Sequence, residues 1–341
     1  MHTYKVDLDY EASIFDPNYQ EYSAANQKMI REFEYVFFLV EKEKSYLKNI
    51  KGYEKKYLNH LKGLGFEIPE FRPKATDYLN WWGHHHNKEI ERHLNSKLTS
   101  SQIAHENNWG FNEGAIIENI KELKEHLIHF PHHEKWIIKR PHSFSGIGHY
   151  FFNANSFNEA ILNKVFLGKV LLEPHYQRVF DIGTTFVINE GEIIKKFMVE
   201  NTNSSTGGFK GGVGSSSMDK FKKYIWKKYT YSLEELEKNT NDIVKYYLKT
   251  GAVSNIQIDS FVYRESNELK LYSLVEVNYR KTMGLVIQSL AEKESNADWV
   301  EWRIDNAKKV KEEKLFEDWT QLSPEGNTFH SFFKSFKFNE D

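Results

Sequence analysis

Three polar residues alternate with apolar ones in the segment EVNYRKTMG, at 276–284. Glu276, Asn278 and Arg280 occupy every second position after a run of strand-forming residues, so their side chains share one face of a strand. Asp259 lies on the preceding predicted strand, which a neighbouring ladder can place beside them. Three oxygen donors suit Mg²⁺ that also binds phosphate and water. The segment therefore predicts a metal and phosphate face, with an ordinary polar strand face as the alternative.

A second stretch, IIKRPHSFSGIGHYFF at 137–152, runs from a strand through a loop of small residues into another strand. Small residues allow successive backbone amides to form a nest around a polyphosphate, and Lys139 adds a charge for the α- or β-phosphate. The candidate binding residues are Lys139, Ser143, Ser145, Gly146 and Gly148. The alternative is a hairpin turn. No Gly-Lys-Ser/Thr follows, so the stretch is not a P-loop.

A third stretch, VLLEPHYQRVFDIGTTFVI at 170–188, has an acid at each end of a connecting segment. Its backbone could hold an adenine, while Glu173 and Asp181 could bind ribose hydroxyls. Two acids at this separation also occur by chance, so this pattern alone is weak.

The histidine clusters GHHHNKE (83–89) and HFPHHEK (129–135) suggest metal binding at first sight. Consecutive side chains point in different directions on a helix or a strand, so we do not expect either cluster to hold one ion. Nothing resembles the nucleophile elbow of a Ser/His/Asp hydrolase. The absence of cysteine excludes thiolate catalysis, cysteine-ligated zinc and disulfides.

Composition narrows the class of protein further. A chain of 341 residues with 40% hydrophobic and 28% charged residues is expected to fold, with two or three subdomains. A net charge of −2 argues against a nucleic-acid partner. No apolar run approaches about 18 residues, so no membrane span is predicted. The polar N-terminus is unlike a signal peptide, and with the lack of cysteine it predicts a cytoplasmic protein.

The elements that must position these residues alternate between strands and helices. EYVFFLVE at 34–41 predicts a buried strand in an N-terminal α/β unit, with a helix as the alternative. Residues 76–129 are predicted to be mainly helical. Strands follow from residue 136, with the last two at NIQIDSFVYR and ELKLYSLVEVNYR. The tail after Gly284 is predicted to be helical.

In this order the pieces resemble the ATP-grasp superfamily, over about residues 90–290. The matching pieces are Lys97 in LNSK, Lys139 with RPHSFSGIG, Glu173 in VLLEP, Asp259 in IQIDSFVY, and EVNYR. Arg140 departs from the family pattern, because it separates Lys139 from the proline. The resemblance implies an α+β / α/β ATP-grasp fold with an N-terminal α/β domain and C-terminal helices. The expected divisions are 1–75 (the N-terminal domain), 76–172 (a helical segment and the first ATP-grasp subdomain), 173–290 (the second, with the metal site) and 291–341 (a helical extension).

The resemblance also implies a reaction. ATP converts a substrate carboxylate to an acyl phosphate, and an amine or similar nucleophile displaces the phosphate. Lys97 and Lys139 are expected to bind the ATP phosphates. Mg²⁺ is expected on Asp259, Glu276 and Asn278, and Arg280 at the transferred phosphate. The expected substrates are small-molecule or peptide carboxylates and amines, and a homodimer is compatible with the fold.

The segment NTNSSTGGFKGGVGSSS, at 201–217, is compatible with a disordered linker or with a lid over the acyl phosphate. In the lid hypothesis its glycines allow close approach, and Lys210 reaches the intermediate as a catalytic residue. Two alternatives to a ligase remain open: a nucleotide-binding module of the same fold without turnover, and a structural or interaction protein.

Overall fold

The computed structural model describes the chain except residues 17, 22, 50–51, 84–86, 143–147, 205–206, 253 and 339–341, and gives only the backbone at 25 and 26. The described strands form two sheets of four strands and one sheet of eight. Helices pack around all three sheets. This mixture confirms the predicted α+β / α/β class.

The N-terminal sheet is parallel throughout. Its elements are β1 (Thr3–Lys5), β2 (Tyr46–Leu47), β3 (Glu70–Phe71) and β4 (Leu79–Asn80), with α1 (Tyr10–Phe15), α2 (Ala24–Phe33), α3 (Val36–Val40) and α4 (Lys55–Gly63). The strand order is β3-β2-β1-β4. Parallel neighbours need long crossover connections, and these helices provide them for β1, β2 and β3.

The apolar run at 34–41 forms the helix α3, so the predicted strand is wrong. Val36, Phe37, Phe38 and Leu39 are all buried. A short run that is buried on every side has no periodicity that separates a strand from a helix. Only the surrounding packing decides between the two.

The second sheet is small and antiparallel, with the order β5-β8-β6-β7. Its elements are β5 (Ala115–Ile117), β6 (Lys135–Lys139), β7 (His149–Asn153) and β8 (Val170–Pro174), with α5 (Lys88–Leu94), α6 (Lys97–Glu106), α7 (Ile120–His129) and α8 (Glu159–Asn163). Trp136, Ile138 and Leu172 are central to its core. Asn87 and Asn119 cap the N-termini of α5 and α7 with their side-chain oxygens, which fixes where these helices begin.

The large sheet has the order β13-β12-β9-β10-β11-β14-β16-β15, and its neighbouring strands are antiparallel. Its strands are β9 (Gln177–Asn189), β10 (Glu192–Asn203), β11 (Phe209–Gly214), β12 (Ile256–Glu265), β13 (Glu268–Asn278), β14 (Trp299–Asn306), β15 (Thr320–Gln321) and β16 (Phe329–Phe336). The accompanying helices are α9 (Met218–Tyr229), α10 (Glu234–Lys249), α11 (Gly284–Lys293) and α12 (Ala307–Glu312).

The described residues of the glycine-rich segment at 201–217 form strands of the large sheet and the turn between them, so the disordered-linker hypothesis is wrong. The lid hypothesis stays a prediction, since Ser204, Gly207 and Phe209 line the cavity described below. The first residues of the segment end β10, and residues 209–214 form β11, of which the last four residues are buried. In the described part of the turn between them, Ser204 N donates to Gly208 O at 2.7 Å. Pairing with strands on both sides holds β11 in place, although its composition is typical of loops.

The tail after Gly284 contains more than the predicted helices. Helices α11 and α12 do form, but β14, β15 and β16 also lie there, and β14 pairs with β11. Exposure alternates along β14 between partly exposed and buried residues, at the period of two that marks a strand with one buried face. The helical extension predicted for 291–341 is therefore wrong: in the described part of this range, the end of α11 is followed by three strands and one short helix.

One core joins the two ends of the chain. Tyr35 and Phe37 pack in the same cluster as Ile287 of α11, Trp302 of β14 and Phe333 of β16. The N-terminal sheet is thus fixed against the large sheet. Among the described helices, none has both the length and the apolar character that a bilayer crossing requires.

Replacing Gly211 with alanine should lower the free energy of unfolding by about 3 kcal/mol. Gly211 has a φ of +126°, and an added Cβ would lie 2.0 Å from the Trp302 carbonyl oxygen on β14. Gly326→Ala is the matched control, because nothing lies within 4 Å of the position that its new methyl group would take, and no left-handed φ is required there. Urea unfolding compares the variants, and equal midpoints for both would contradict the close packing at β11.

Candidate active site

The oxygen donors predicted from EVNYR converge on one face of the large sheet. In the register between β12 and β13, Asp259 is opposite Glu276, and Gln257 is opposite Asn278. Directly opposed residues of an antiparallel pair have side chains on the same face. Asn278 Nδ2 donates to Asp259 Oδ2 at 2.8 Å, and Gln257 Nε2 donates to Asp259 Oδ1 at 2.7 Å. The two amides therefore hold the Asp259 carboxylate in a fixed orientation.

Arg280 extends this face beyond the end of β13. Its Nη2 donates to Asn278 Oδ1 at 3.0 Å, and its Nη1 donates to the Lys281 carbonyl at 2.8 Å. The guanidinium also forms an ion pair with Glu11 of α1, and it lies 5.5 Å from the ring centre of Trp82. The site thus includes residues of the N-terminal domain.

Two buried lysines reach the same face from other elements. Lys97, the first residue of α6, forms an ion pair with Glu276. Lys139 is the last residue of β6, and its Nζ lies 2.5 Å from Glu173 Oε2 of β8. The Tyr272 hydroxyl donates to the other Glu173 oxygen. Each lysine has a carboxylate beside it, as the burial of a charge requires.

The two opposed carboxyl groups have different proton affinities. Burial and the negative charge of Glu276 raise the pKa of Asp259 to about 7. Burial also acts to raise the pKa of Glu276, but the charge of Lys97 outweighs it and lowers that pKa below the ordinary value. Glu276 is therefore the member of the pair that ionises first, and Asp259 keeps its proton to higher pH. A cation on this face would drive the proton off Asp259.

His149 lies opposite Lys139 in the ladder between β6 and β7 and faces the same cavity. Burial and the charges of Lys139 and Lys97 lower its pKa to about 3, so the imidazole is neutral. This histidine was not predicted from the sequence. A signal existed, because a register between the two predicted strands places it next to the lysine.

A cavity of about 540 Å³ opens between the small sheet, the large sheet and the N-terminal domain. Eight of the predicted site residues line it: Lys97, Lys139, Glu173, Asp181, Asp259, Glu276, Asn278 and Arg280. Ser143, Ser145 and Gly146 lie outside the described residues. The structure therefore brings together most of a site that was predicted from segments far apart in sequence.

Two predicted residues do not line the cavity. The Gly148 carbonyl accepts a hydrogen bond from Arg140 N at 3.3 Å, at the base of the hairpin between β6 and β7. Lys210 Nζ lies 3.8 Å from Asp305 Oδ1, on the strand that neighbours β11. The preceding residue, Phe209, does line the cavity. Lys210 therefore has no part in the function proposed below.

Several cavity residues were missed from the sequence. Gln257 Oε1 accepts from Thr185 Oγ1 at 3.2 Å and also from the Thr282 hydroxyl, so the amide is locked where it supports Asp259. Arg178 Nη1 donates to Asp181 Oδ1 at 2.6 Å. Gln257 stands two positions before Asp259, so the alternation that identified Glu276 and Asn278 also applied to it.

Besides its charged residues, the cavity has two apolar regions, one at each end. At one end, Phe111, Tyr176, Phe261 and Val275 belong to one small hydrophobic cluster. At the other end, the lining comes from the core shared with the N-terminal domain: Leu8, Met29, Phe33, Trp82, Phe209, Met283 and Ile304. We call these the hinge end and the N-terminal end.

Asp259→Asn should change how stability depends on pH. The folded-state pKa of Asp259 lies near 7, above its ordinary value of 3.8. Its contribution to stability is therefore complete at low pH and is lost as the pH rises through about 7. Urea unfolding at pH 4.5 and 7.5 should show wild type losing stability relative to the variant. Asp77→Asn, at an exposed position, is the control, and parallel pH profiles for wild type and Asp259→Asn would contradict the burial of this carboxyl group.

No protein-family model and no curated protein sequence matches the chain. Its structure is similar to that of N5-carboxyaminoimidazole synthetase from Staphylococcus aureus complexed with ADP, with a TM-score of 0.53 and 11% identity over 99% of this chain and 94% of that chain. It is also similar to N5-carboxyaminoimidazole synthase from Aspergillus clavatus in complex with ADP and 5-aminoimidazole ribonucleotide (TM-score 0.52, 8% identity, 99% and 95% covered).

A third similar structure is the biotin carboxylase from Campylobacter jejuni in complex with β-γ-ATP (TM-score 0.51, 9% identity, 92% of this chain and 75% of that chain). At such identities the likeness concerns the fold. This fold is the one that the order of the sequence motifs from Lys97 to Arg280 predicts. The chain therefore has the ATP-grasp fold.

Proposed function

We propose that this protein is an ATP-dependent ligase that activates a carboxylate as an acyl phosphate and transfers the acyl group to an amine or similar nucleophile. One observation carries the proposal. Asp259, Glu276 and Asn278 share one face, and Lys97 and Lys139 reach that face inside a single cavity. Phosphoryl transfer requires positioning and charge neutralisation more than covalent catalysis, and these side chains can supply both.

The hinge end is proposed to hold the adenine. Phe111 and Tyr176 offer aromatic surface there, and Asp181 lies close enough to the cavity to bind ribose. Lys139 and Lys97 are then proposed to contact the phosphates by exchanging their present carboxylate partners. Two similar structures were solved with ADP, which supports nucleotide binding in this fold.

The set of Asp259, Glu276 and Asn278 fits Mg²⁺, which prefers carboxylate and carbonyl oxygens and shares its coordination with phosphate. When bound, Mg²⁺ would neutralise phosphate charge during transfer. Gln257 orients Asp259 for this role, and the Lys97 charge keeps Glu276 ionised. Both features belong to the protein itself and exist before any ligand enters.

In the proposed reaction, a carboxylate oxygen attacks the γ-phosphorus, and the bond from that phosphorus to the bridging oxygen breaks to release ADP. The amine then attacks the acyl carbon, phosphate leaves, and the amine's proton passes to water. Arg280 lies beside the proposed metal ligands and can neutralise the transferred phosphate. To do so it must exchange its ion pair with Glu11 for the ligand.

The N-terminal end favours a substrate with an apolar body. Seven apolar side chains line it. Among the described lining residues, the cation at this end is Arg280, and it already forms an ion pair with Glu11. A phosphate group on the substrate would compete with the transferred phosphate for this one arginine. We therefore propose an unphosphorylated substrate, unlike the ribonucleotide bound in the Aspergillus clavatus structure. Glu11 and Arg280 can recognise opposite charges on the same small molecule.

The alternative is a protein of this fold that binds nucleotide without turnover. It shares the nucleotide site with the ligase, so binding measurements cannot separate the two. Turnover with the right substrates can. The ligase is favoured because the cavity continues past the proposed metal ligands into the apolar region beside Glu11 and Arg280, which a module that only binds nucleotide does not need.

Lys139→Ala should weaken ADP binding by about 1.5–3 kcal/mol, because a charge-assisted contact to phosphate is lost. Calorimetry with MgADP measures this. Lys135→Ala is the matched control, because Lys135 is exposed at the start of the same strand. Urea unfolding in parallel checks that the unpaired Glu173 has not unfolded the variant. Unchanged affinity in a folded Lys139→Ala protein would remove this lysine from the nucleotide site.

Release of ADP and phosphate tests the ligase directly. We expect turnover to require both a carboxylate and an amine, with substrates that have apolar bodies preferred over phosphorylated ones. Glu276→Gln should lower the rate by about a hundredfold or more, while exposed Glu268→Gln on the same strand should not. If nucleotide binds but no substrate pair across a broad panel stimulates release, the binding-module alternative is correct.

A further inference from the structure

The turn between α7 and β6 brings two histidines together. His133 N donates to the Phe130 carbonyl at 3.2 Å, and this turn places the His132 and His133 rings with their centres 4.0 Å apart. The sequence led us to expect consecutive histidines to diverge. That expectation assumes a regular helix or strand, and the turn removes the assumption.

An acid from another segment completes the group. Glu113 lies in the connection between α6 and β5, and its Oε1 is 3.8 Å from His133 Nε2. One ligand atom from each of Glu113, His132 and His133 lies within 4.8 Å of the others. Metal–ligand distances in a tetrahedral zinc site imply ligand atoms roughly 3.3 Å apart, so small side-chain rotations suffice to close the group around an ion.

The protein surroundings suit a cation. The His133 side chain is 10% exposed and that of Glu113 is 26% exposed, whereas His132 is exposed, so the group is shielded from water on one side and open on the other. The Glu113 carboxylate lies beside the two imidazoles and supplies negative charge for a cation.

We propose that Glu113, His132 and His133 form a zinc site, separate from the magnesium face of the cavity, with a water completing the coordination. Two imidazoles and one carboxylate are typical of zinc, whereas Mg²⁺ prefers oxygen ligands alone. This inference goes beyond the proposed ligase function and does not depend on it.

The position of this site predicts what the ion does. The Tyr176 hydroxyl lies 3.4 Å from His133 Nε2 and donates to Glu265 Oε1 of β12 at 2.8 Å. Tyr176 also lines the hinge end of the cavity. An ion on Glu113, His132 and His133 would join the connection before β5 to the turn before β6, next to the contact that Tyr176 makes with the large sheet. Its role is to hold these two connections of the small sheet together beside the proposed adenine pocket.

Zinc titration of the chelator-treated full-length protein tests the proposal. Calorimetry should detect one zinc ion per chain with a saturable rise in melting temperature, and millimolar Mg²⁺ should not compete. His133→Ala should weaken this binding by about a hundredfold or more, and Glu113→Gln by about tenfold or more. X-ray absorption of the loaded protein should show two imidazole ligands and oxygen.

Two controls exclude other sources of binding. His129→Ala changes an exposed histidine in the same segment and should leave the affinity unchanged. A triple alanine replacement of the histidine run at 84–86 should also retain the site. Because Glu113→Gln is nearly isosteric, it keeps the test valid if His133→Ala does not fold. No saturable zinc binding in wild type, or equal binding in wild type and Glu113→Gln, would overturn the proposal.

Discussion

Two lysines are buried where the small antiparallel sheet meets the large sheet, and each has a carboxylate beside it because an unpaired buried charge costs several kcal/mol. Lys97 is paired with Glu276, and Lys139 with Glu173. These pairs connect α6 to β13 and β6 to β8. The same pairing also affects Asp259, because burial and the negative charge of the facing Glu276 together raise the pKa of that carboxyl group. The need to pair these buried charges therefore fixes the elements that form the cavity walls.

The same pairing makes the cavity nearly neutral in the absence of ligands. Lys97, Lys139, Arg178 and Arg280 each have an acidic partner. A polyanion that enters must exchange these partners, and the released carboxylates become available to a cation. Nucleotide and metal binding are therefore expected to reinforce each other, since each supplies the charge that the other uncovers.

The motif residues were predictable because their geometry is local. Alternation along β13 places Glu276 and Asn278 on one face whatever the rest of the fold does, and a single ladder then adds Asp259. The elements that were predicted wrongly depend on contacts with residues distant in the sequence. Strand β11 looks like a loop because glycine has low strand propensity, but β10 and β14 supply its hydrogen bonds.

Other misses have related causes. Helix α3 is an apolar run whose environment is buried on all sides, so no period is visible in it. The zinc candidates came together through a turn and a separate connection, neither of which leaves a spacing rule in the sequence. The resemblance of the ordered motifs to the ATP-grasp superfamily identified the fold correctly. The N-terminal end of the cavity could not be predicted in this way, because residues from both ends of the chain line it.

The glycine strand also has a consequence for synthesis on the ribosome. Strand β11 gains its second neighbour only when β14 emerges, almost ninety residues later in the chain, and the N-terminal core waits for β14 and β16 as well. Until then one edge of β11 exposes unpaired amides along a strand in which three of the six residues are glycine. A nascent chain of this protein therefore passes through a stage that is prone to mispairing, which begins when β11 emerges and ends when β14 pairs with it.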